Sequence, residues 1–305
     1  MNLLSALGAI EIGLIFGLVS LGIFLSFRVL NFPDLTPDGS FTLGGAVAAI
    51  LISKEFNPFL ATAVAIVAGA VAGWTTAYLN VRLRVMQLLA GILVMIGLYS
   101  VNLRVMGQPN IALIDAPTVF RVLSIGKVPL YWTQPLVLLV LVIIVKLILD
   151  AYLASEDGLA MRSTGVNPRM ARAQGISTDR QTLVGMALSN GLVALAGALF
   201  AQSQGGADIS MGVGTIVAGL AAVIIGETLL PSRYLGWVTA SCVLGAVLYR
   251  FLVVLALNTD FLGIQAQDLN LITSLLVAAA LVLPTIRKRL ATGPRLRKAI
   301  PKEVS

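Results

Sequence analysis

The sequence predicts an all-α, polytopic membrane protein. Of its 305 residues, 58% are hydrophobic and only 11% are charged. A soluble protein of this length needs more charge on its surface, so composition excludes that class. The apolar runs are about 20 residues long, which is the length of a membrane-spanning helix. They do not alternate with polar residues as the strands of a membrane barrel do, so strands are not expected.

About nine apolar segments are predicted to form a single transmembrane domain over residues 1–287. Most of them can cross about 30 Å of hydrocarbon as helices, but the second is too short to cross alone. The remaining residues, 288–305, are expected to form a basic cytoplasmic tail near anionic lipid. The segments lie at about 5–27, 40–53, 58–80, 86–106, 133–153, 182–203, 212–230, 235–257 and 270–286.

The distribution of lysine and arginine predicts the orientation of these segments. With the C-terminal tail in the cytoplasm, alternating the spans backwards puts most of the 21 basic residues on the cytoplasmic side. The N-terminus is then outside, and the loop at 154–181 is inside. Because this topology accounts for the net charge of +7, we do not expect a nucleic-acid partner.

The chain contains a weak internal repeat. Residues 35–52 read LTPDGSFTLGGAVAAILI, and residues 206–226 read GADISMGVGTIVAGLAAVIIG. Both copies follow a long span and place an aspartate and a serine before glycines and an apolar run. In the predicted topology the two copies run in opposite directions, which is typical of an inverted repeat with broken helices.

The start of each copy suits a helix that begins part-way across the membrane. Thr36, Pro37 and Asp38 form a favourable helix start. Such a start points free N–H groups at whatever lies there, and it is tolerated only beside a cavity or under a protein cover. We therefore predict that both starts line the translocation path, although the glycines have an alternative role in close helix packing. The predicted path residues are Asp38, Gly39, Ser40, Phe41, Asp208 and Ser210.

The longest polar interval between two apolar spans is Glu156–Arg180. Asn167 and Pro168 suit the N-cap and first position of a short helix, and Gly175 suits its end. Two short helices with a basic outer face at a membrane surface would suit docking of a soluble partner. The alternative is a solvated cytoplasmic loop that is retained by its charge.

This interval resembles the coupling loop of bacterial ABC importer permeases in the branched-chain amino acid and simple-sugar permease family. Residues 30–46 resemble the block that follows the first span in that family. Residues 88–111 resemble a subgroup assigned to the uptake of aromatic or other amino acids. The matching positions in the interval are Gly158, Arg162, Gly165, Asn167, Pro168, Ala171, Ala173, Gly175 and Ile176.

The resemblance implies the membrane subunit of an ATP-driven importer in the inner membrane of a bacterial cell. Its expected cargo is a small solute, most simply an amino acid. The expected partners are ATP-binding cassette ATPase subunits, a second permease copy and an extracytoplasmic binding protein. The ATPase subunits are expected to dock on eight of the matched loop positions, all except Ala173. The chain has no GxxxxGK[ST] sequence, so ATP hydrolysis is expected on a separate subunit. With no histidine and one cysteine, no metal or other cofactor is expected.

Three alternatives remain open at this point. Import of a sugar or a nucleoside is compatible with the wider family. An ion-coupled secondary transporter would need charges deep in the membrane, whereas Glu11, Glu227 and Arg250 are few and mostly near span ends. A membrane enzyme or scaffold lacks any catalytic constellation in this sequence.

Overall fold

The computed structural model describes residues 3–114, 116–123, 130–232 and 234–257, together with residue 278. Helices account for most of these residues, and two short strands accompany them. The first helix continues into a π-helical turn, Phe24–Val29. In chain order the elements are α1 (Leu3–Ile23), α2 (Pro37–Ser53), α3 (Pro58–Val81), α4 (Gln87–Met106), β1 (Asn110–Ala112), α5 (Val119–Val122), α6 (Leu130–Ala154), α7 (Glu156–Val166), α8 (Pro168–Ala173), α9 (Thr178–Gln204), β2 (Gly206–Asp208), α10 (Thr215–Leu229) and α11 (Leu235–Leu257).

Within the described residues, six helices are long and apolar enough to cross a membrane: α1 with its π-helical turn, α3, α4, α6, α9 and α11. Two shorter apolar helices, α2 and α10, accompany them. Each predicted segment up to residue 257 corresponds to one of these helices, which confirms a polytopic membrane protein. The predicted segment 270–286 and the tail 288–305 lie outside the described residues.

The long apolar runs form helices, as predicted, and two short strands outside these runs accompany the all-α fold. β1 and β2 pair in antiparallel register, with Asn110 opposite Asp208 and Ala112 opposite Gly206. The strands begin just beyond the ends of α4 and α9, where backbone groups need partners outside a helix. Each strand has only three residues, which is too short to produce a recognisable alternation in the sequence.

α9 lies at the centre of the bundle and packs against α2 with almost no side chains between the two backbones. A Cβ atom at Gly44 would overlap the carbonyl group of Ala194, and a Cβ atom at Gly197 would overlap the carbonyl group of Phe41. The two helix backbones are therefore in direct contact, as small residues allow in membrane proteins.

The long helices on either side of α2 and α10 pack in crossed pairs. α9 packs on α3, where a Cβ atom at Gly69 would overlap the side chain of Ala194. α1 packs on α11 in the same manner, since a Cβ atom at Gly13 would lie 2.8 Å from the Cα atom of Val247. Thus α1, which precedes the short helix α2, packs against α11, which follows the short helix α10. In the other pair, α9 precedes α10 and packs against α3, which follows α2.

The bundle has two distinct ends. The loop end contains α7, α8 and the π-helical turn, and a Cβ atom at Gly165 in α7 would overlap the carbonyl oxygen of Val29 in that turn. The strand end contains β1 and β2. α2 runs toward the strand end, where Ile52 packs in one buried cluster with Ile111 of β1. α10 runs toward the loop end, where Glu227 pairs with Arg28 of the π-helical turn.

Candidate functional site

The starts of the two short apolar helices contact each other. Asp38 lies in the first turn of α2, and its carboxylate accepts hydrogen bonds from the backbone N–H groups that begin α10. The bond from Gly214 N to Oδ2 is 3.2 Å long, and the bond from Ile216 N to Oδ1 is 2.8 Å long. A negative charge at a helix N-terminus satisfies free N–H groups and interacts favourably with the helix dipole. We call this contact the paired helix starts.

The turn before α10 also lies directly against α2. A Cβ atom at Gly212 would overlap the carbonyl oxygen of Asp38 and the hydroxyl group of Thr42. The structure therefore brings together the two glycine-containing stretches, 38–44 and 208–214, that sequence reasoning singled out. α2 and α10 leave this point in opposite directions, one toward the strand end and the other toward the loop end.

The other predicted path residues of α2 face the interior of the bundle. Ser40 is fully buried, and its hydroxyl group donates to Oδ1 of Asn190 at 2.7 Å. Phe41 is also fully buried, with its ring centroid 5.5 Å from that of Phe200. A Cβ atom at Gly39 would lie 2.9 Å from the side chain of Leu98 in α4.

Asp208 and Ser210 form a local turn next to β2. The Ser210 N–H group donates to Oδ1 of Asp208 at 2.7 Å, and the serine hydroxyl group donates to the same oxygen. Of the six predicted path residues, Asp38 is the one whose side chain reaches the start of the opposite short helix. The role of all six in translocation stays a prediction.

Sequence reasoning missed a buried polar cluster beside the start of α2. The Asp34 carboxylate accepts from Thr36 N at 2.9 Å and from Nδ2 of Asn190 at 2.8 Å. The hydroxyl groups of Thr36 and Thr76 share a hydrogen bond of 2.7 Å. With Ser40, these residues form what we call the Asp34 cluster, and all five are 0% exposed. The available signal was an aspartate and an asparagine in or beside apolar spans, where polar side chains usually pair.

The short helix of the loop has the capping that its sequence predicts. Oδ1 of Asn167 accepts from the backbone N–H groups of Arg169 and Met170, both at 3.1 Å. Pro168 is the first residue of α8. Gly175 follows the end of α8 with a φ of +83°, a conformation that residues with a side chain rarely adopt.

The eight loop residues predicted to contact an ATPase separate into an outer and an inner set. Gly158 and Gly165 face inward, since a Cβ atom at either position would overlap a backbone carbonyl oxygen of a neighbouring element. Ala171 is buried, and Ile176 is half-buried, with its N–H group donating to the Ala171 carbonyl oxygen at 3.1 Å. The exposed residues are Arg162, Asn167, Pro168 and Gly175.

Exposed apolar side chains accompany the exposed polar and basic residues on the same loop. Val166 is 87% exposed, Met170 is 59% exposed and Leu159 is 53% exposed. The loop thus presents an apolar and basic surface, which is the composition of a protein-binding patch more than that of a solvated tether.

Glu11 and Glu227 lie near opposite ends of the bundle, and Asp34 and Asp38 lie between them. Glu11 accepts a hydrogen bond from Ser203, which is close to the strand end of α9. Glu227 pairs with Arg28 at the loop end. Within the described residues, these contacts do not form a continuous chain of ionisable groups between the two ends.

One cavity with a volume of about 910 Å³ lies away from the paired helix starts, between α3 and α6. Phe59, Ile66, Trp132, Leu136 and Val140 are among its walls. No charged side chain lines it among the described residues. Such walls do not suit an amino acid or a sugar, because their polar groups would be left without hydrogen bonds.

Replacement of Asp38 by alanine is expected to destabilise the start of α10. The substitution removes both hydrogen bonds to the α10 backbone, so we expect a loss of about 1–2 kcal/mol in stability. Thermal unfolding in mild detergent measures this loss. Asp179→Ala is the control, because Asp179 also lies in the first turn of a helix but is exposed. Equal melting temperatures for the two variants would contradict the capping role of Asp38.

Comparison with known proteins places the whole membrane domain in one family. Residues 5–285 match the family described as "Branched-chain amino acid transport system / permease component". A protein named "Tyrosine transport system permease protein" from Clostridioides difficile is 37% identical over 269 residues, covering 88% of this chain and 87% of the relative. An uncharacterized protein of Rickettsia prowazekii is 34% identical and covers 92% of this chain and 97% of its own length. The ribose import permease protein of Escherichia coli is 26% identical, covering 70% of this chain and 67% of the relative. No solved structure matches the chain significantly.

Proposed function

Because the chain belongs to the permease family of branched-chain amino acid transport systems, we propose that it imports an amino acid, with tyrosine as the first substrate to test. The chain is a multi-pass ABC permease for amino acid or sugar import. It is the membrane component of the transporter and is not itself catalytic.

The similarity to the tyrosine permease carries the choice of an amino acid. That relative is 37% identical over 88% of this chain, whereas the ribose permease is 26% identical over 70%. A sugar or a nucleoside is the second candidate, because a permease of the same family is named for ribose import.

The paired helix starts are the proposed point where the solute crosses. α2 and α10 are each too short to cross the membrane alone, and they begin at the same place in the bundle. Transporters with inverted repeats build their solute sites from broken helices of this kind. The exchange of packing partners between α1, α3, α9 and α11 supports the inverted repeat, since each long helix has an equivalent in the other half.

The loop end is the proposed docking surface for the ATPase subunits. Such a partner would cover the exposed apolar residues of the loop end. Acidic groups of the partner would contact the basic residues at the edge of the interface. Arg162, Arg169, Arg172 and Arg180 are all exposed there. The same positive charge supports a cytoplasmic position of this end and an outer position of the N-terminus, in the inner membrane of a bacterial cell.

The complete importer is proposed to contain two permease chains, two ATPase subunits and an extracytoplasmic binding protein. ATP binding closes the ATPase pair and moves both loops, and the two permease halves then alternate between outward and inward access. The binding protein delivers the solute at the strand end, which lies opposite the loop end.

Uptake of radiolabelled tyrosine by cells of the native host tests the substrate. We expect deletion of this chain to lower the initial rate by about tenfold, and we expect the wild-type chain to restore it. Unlabelled phenylalanine and leucine test the breadth of the site as competitors, while ribose and a nucleoside serve as controls. An unchanged tyrosine rate with a lost ribose rate would move the assignment to a sugar importer.

The energy source is tested in the same cells. Uptake that disappears when the cognate ATPase is inactivated supports the ABC mechanism. Uptake that survives this inactivation but is abolished by a protonophore would instead indicate an ion-coupled transporter.

A further inference from the structure

α9 connects the loop directly to the centre of the bundle. The helix has 27 residues without a proline, and it starts five residues after α8 ends. At 1.5 Å per residue it extends over about 40 Å. Its first turns rest on α7, where Nε2 of Gln181 donates to Asp157 at 3.4 Å and a Cβ atom at Gly185 would lie 3.0 Å from the sulfur of Met161. A displacement of the loop therefore displaces α9.

Asn190 lies near the middle of α9 and binds the segment that leads into α2. Its side-chain N–H group donates to Asp34, and its carbonyl oxygen accepts from Ser40. The amide also donates to the Met186 carbonyl oxygen within α9 at 3.2 Å. Asp34 lies before the start of α2 and Ser40 lies within its first turn, so the Asn190 amide holds the chain on both sides of this helix start. Asp34 also accepts from Thr36 N.

The same short segment contains Asp38, which joins the paired helix starts. Asp38 lies two residues before Ser40, and its carboxylate binds the backbone of Gly214 and Ile216 at the start of α10. Hydrogen bonds of Asn190 therefore connect α9 to the start of α2, and hydrogen bonds to Asp38 connect α2 to α10. The backbone at the start of α2 joins these two sets.

We propose that Asn190 and Asp34 are positioning residues that transmit the movement of the loop to the paired helix starts, and thereby couple ATP hydrolysis to transport. This inference rests on the proposed function. The backbone contacts at Gly44 and Gly197 already hold α2 against α9, so the polar cluster is not needed merely to attach the helices. A carboxylate is costly to bury, whereas a fully hydrogen-bonded polar network holds a segment in one defined arrangement.

The test is an exchange of the two side chains. In Asn190→Asp two carboxylates face each other, and in Asp34→Asn two amides do, so either single variant can disturb the contact. In the double variant Asp34→Asn, Asn190→Asp, the amide at position 34 can donate to the carboxylate at position 190. That carboxylate can still accept from Ser40, and the oxygen at position 34 can still accept from Thr36 N. Only the bond to the Met186 carbonyl oxygen is lost.

The measured quantity is the number of solute molecules imported per ATP hydrolysed by the whole importer in proteoliposomes. We expect Asn190→Asp to lower this ratio by about tenfold to 100-fold, because small misplacements in a transport or reaction site have effects of this size. The double variant is expected to return the ratio to within about threefold of wild type. Ser189→Ala is the matched control, since Ser189 is the neighbouring buried residue on α9 and binds the Gly22 carbonyl oxygen of α1. Its ratio should equal that of wild type.

Single variants that keep the wild-type ratio, or a folded double variant that does not recover it, would overturn the coupling role while leaving the importer assignment intact. Wild-type importer that transports without ATP would overturn the proposed function and this inference together. If a single variant does not accumulate in the membrane, Ser40→Ala removes one hydroxyl donor to Asn190 and gives a milder test. An unchanged ratio in that variant would likewise contradict the proposal.

Discussion

Replacement of Gly44 by alanine is expected to prevent normal assembly of the membrane domain. The new Cβ atom would overlap the carbonyl group of Ala194, so α2 and α9 would have to move apart. Because backbone atoms cannot move aside as a side chain can, we expect a loss of about 3 kcal/mol or more. Thermal unfolding of the purified chain and its yield in membranes measure the effect.

Gly97→Ala is the matched control for this prediction. Gly97 lies in the membrane helix α4, and a Cβ atom there meets no other atom within 4 Å. The same substitution should therefore be neutral or slightly stabilising, by up to about 1 kcal/mol, because alanine favours the helix. Equal stability of the Gly44 and Gly97 variants would contradict the direct backbone contact between α2 and α9.

Replacement of Gly175 by valine is expected to uncouple the transporter while leaving the membrane domain folded. A Cβ atom at Gly175 has open space around it, so the substitution causes no steric overlap. The φ of +83° is nevertheless unfavourable for a β-branched residue, and the end of α8 must change shape. We expect coupled uptake to fall by about tenfold or more, with ATP hydrolysis retained.

Gly107→Val separates the effect of backbone strain from the effect of position. Gly107 has a φ of +70° and open space around its Cα atom, but it follows α4 next to β1. It should lower stability by about the same amount as Gly175→Val and leave coupled uptake unchanged. A similar fall in coupled uptake in both variants would show that strain, and not the loop surface, is responsible.

Local chemistry made the loop predictable from the sequence. A cap at Asn167, a proline at the first helical position and a glycine after the last turn act within a few residues, so they can be identified without tertiary information. The inward role of Gly165 could not be identified in this way. Its contact is the carbonyl oxygen of Val29, which is far away in the sequence.

The difference between local contacts and contacts distant in the sequence also explains what was predicted and what was missed in the bundle. Hydrophobic runs located the helices, and the repeated glycine-containing stretches indicated the two starts that meet. The hydrogen bonds that Asp38 accepts from α10 and that Asp34 accepts from Asn190 depend on how helices distant in the sequence are arranged. No local pattern specifies them, although a buried carboxylate in or beside a span indicates that a partner must exist.

Purification of the chain from its native host in mild detergent tests most directly whether it works as a permease that docks an ATPase through its loop. We expect a P-loop ATPase to co-purify with the wild-type chain. We expect the ATPase to be lost when residues 167–175 are replaced by a flexible linker of the same length. A chain that purifies without an ATPase, and whose transport continues with the linker in place, would contradict this assignment of the loop.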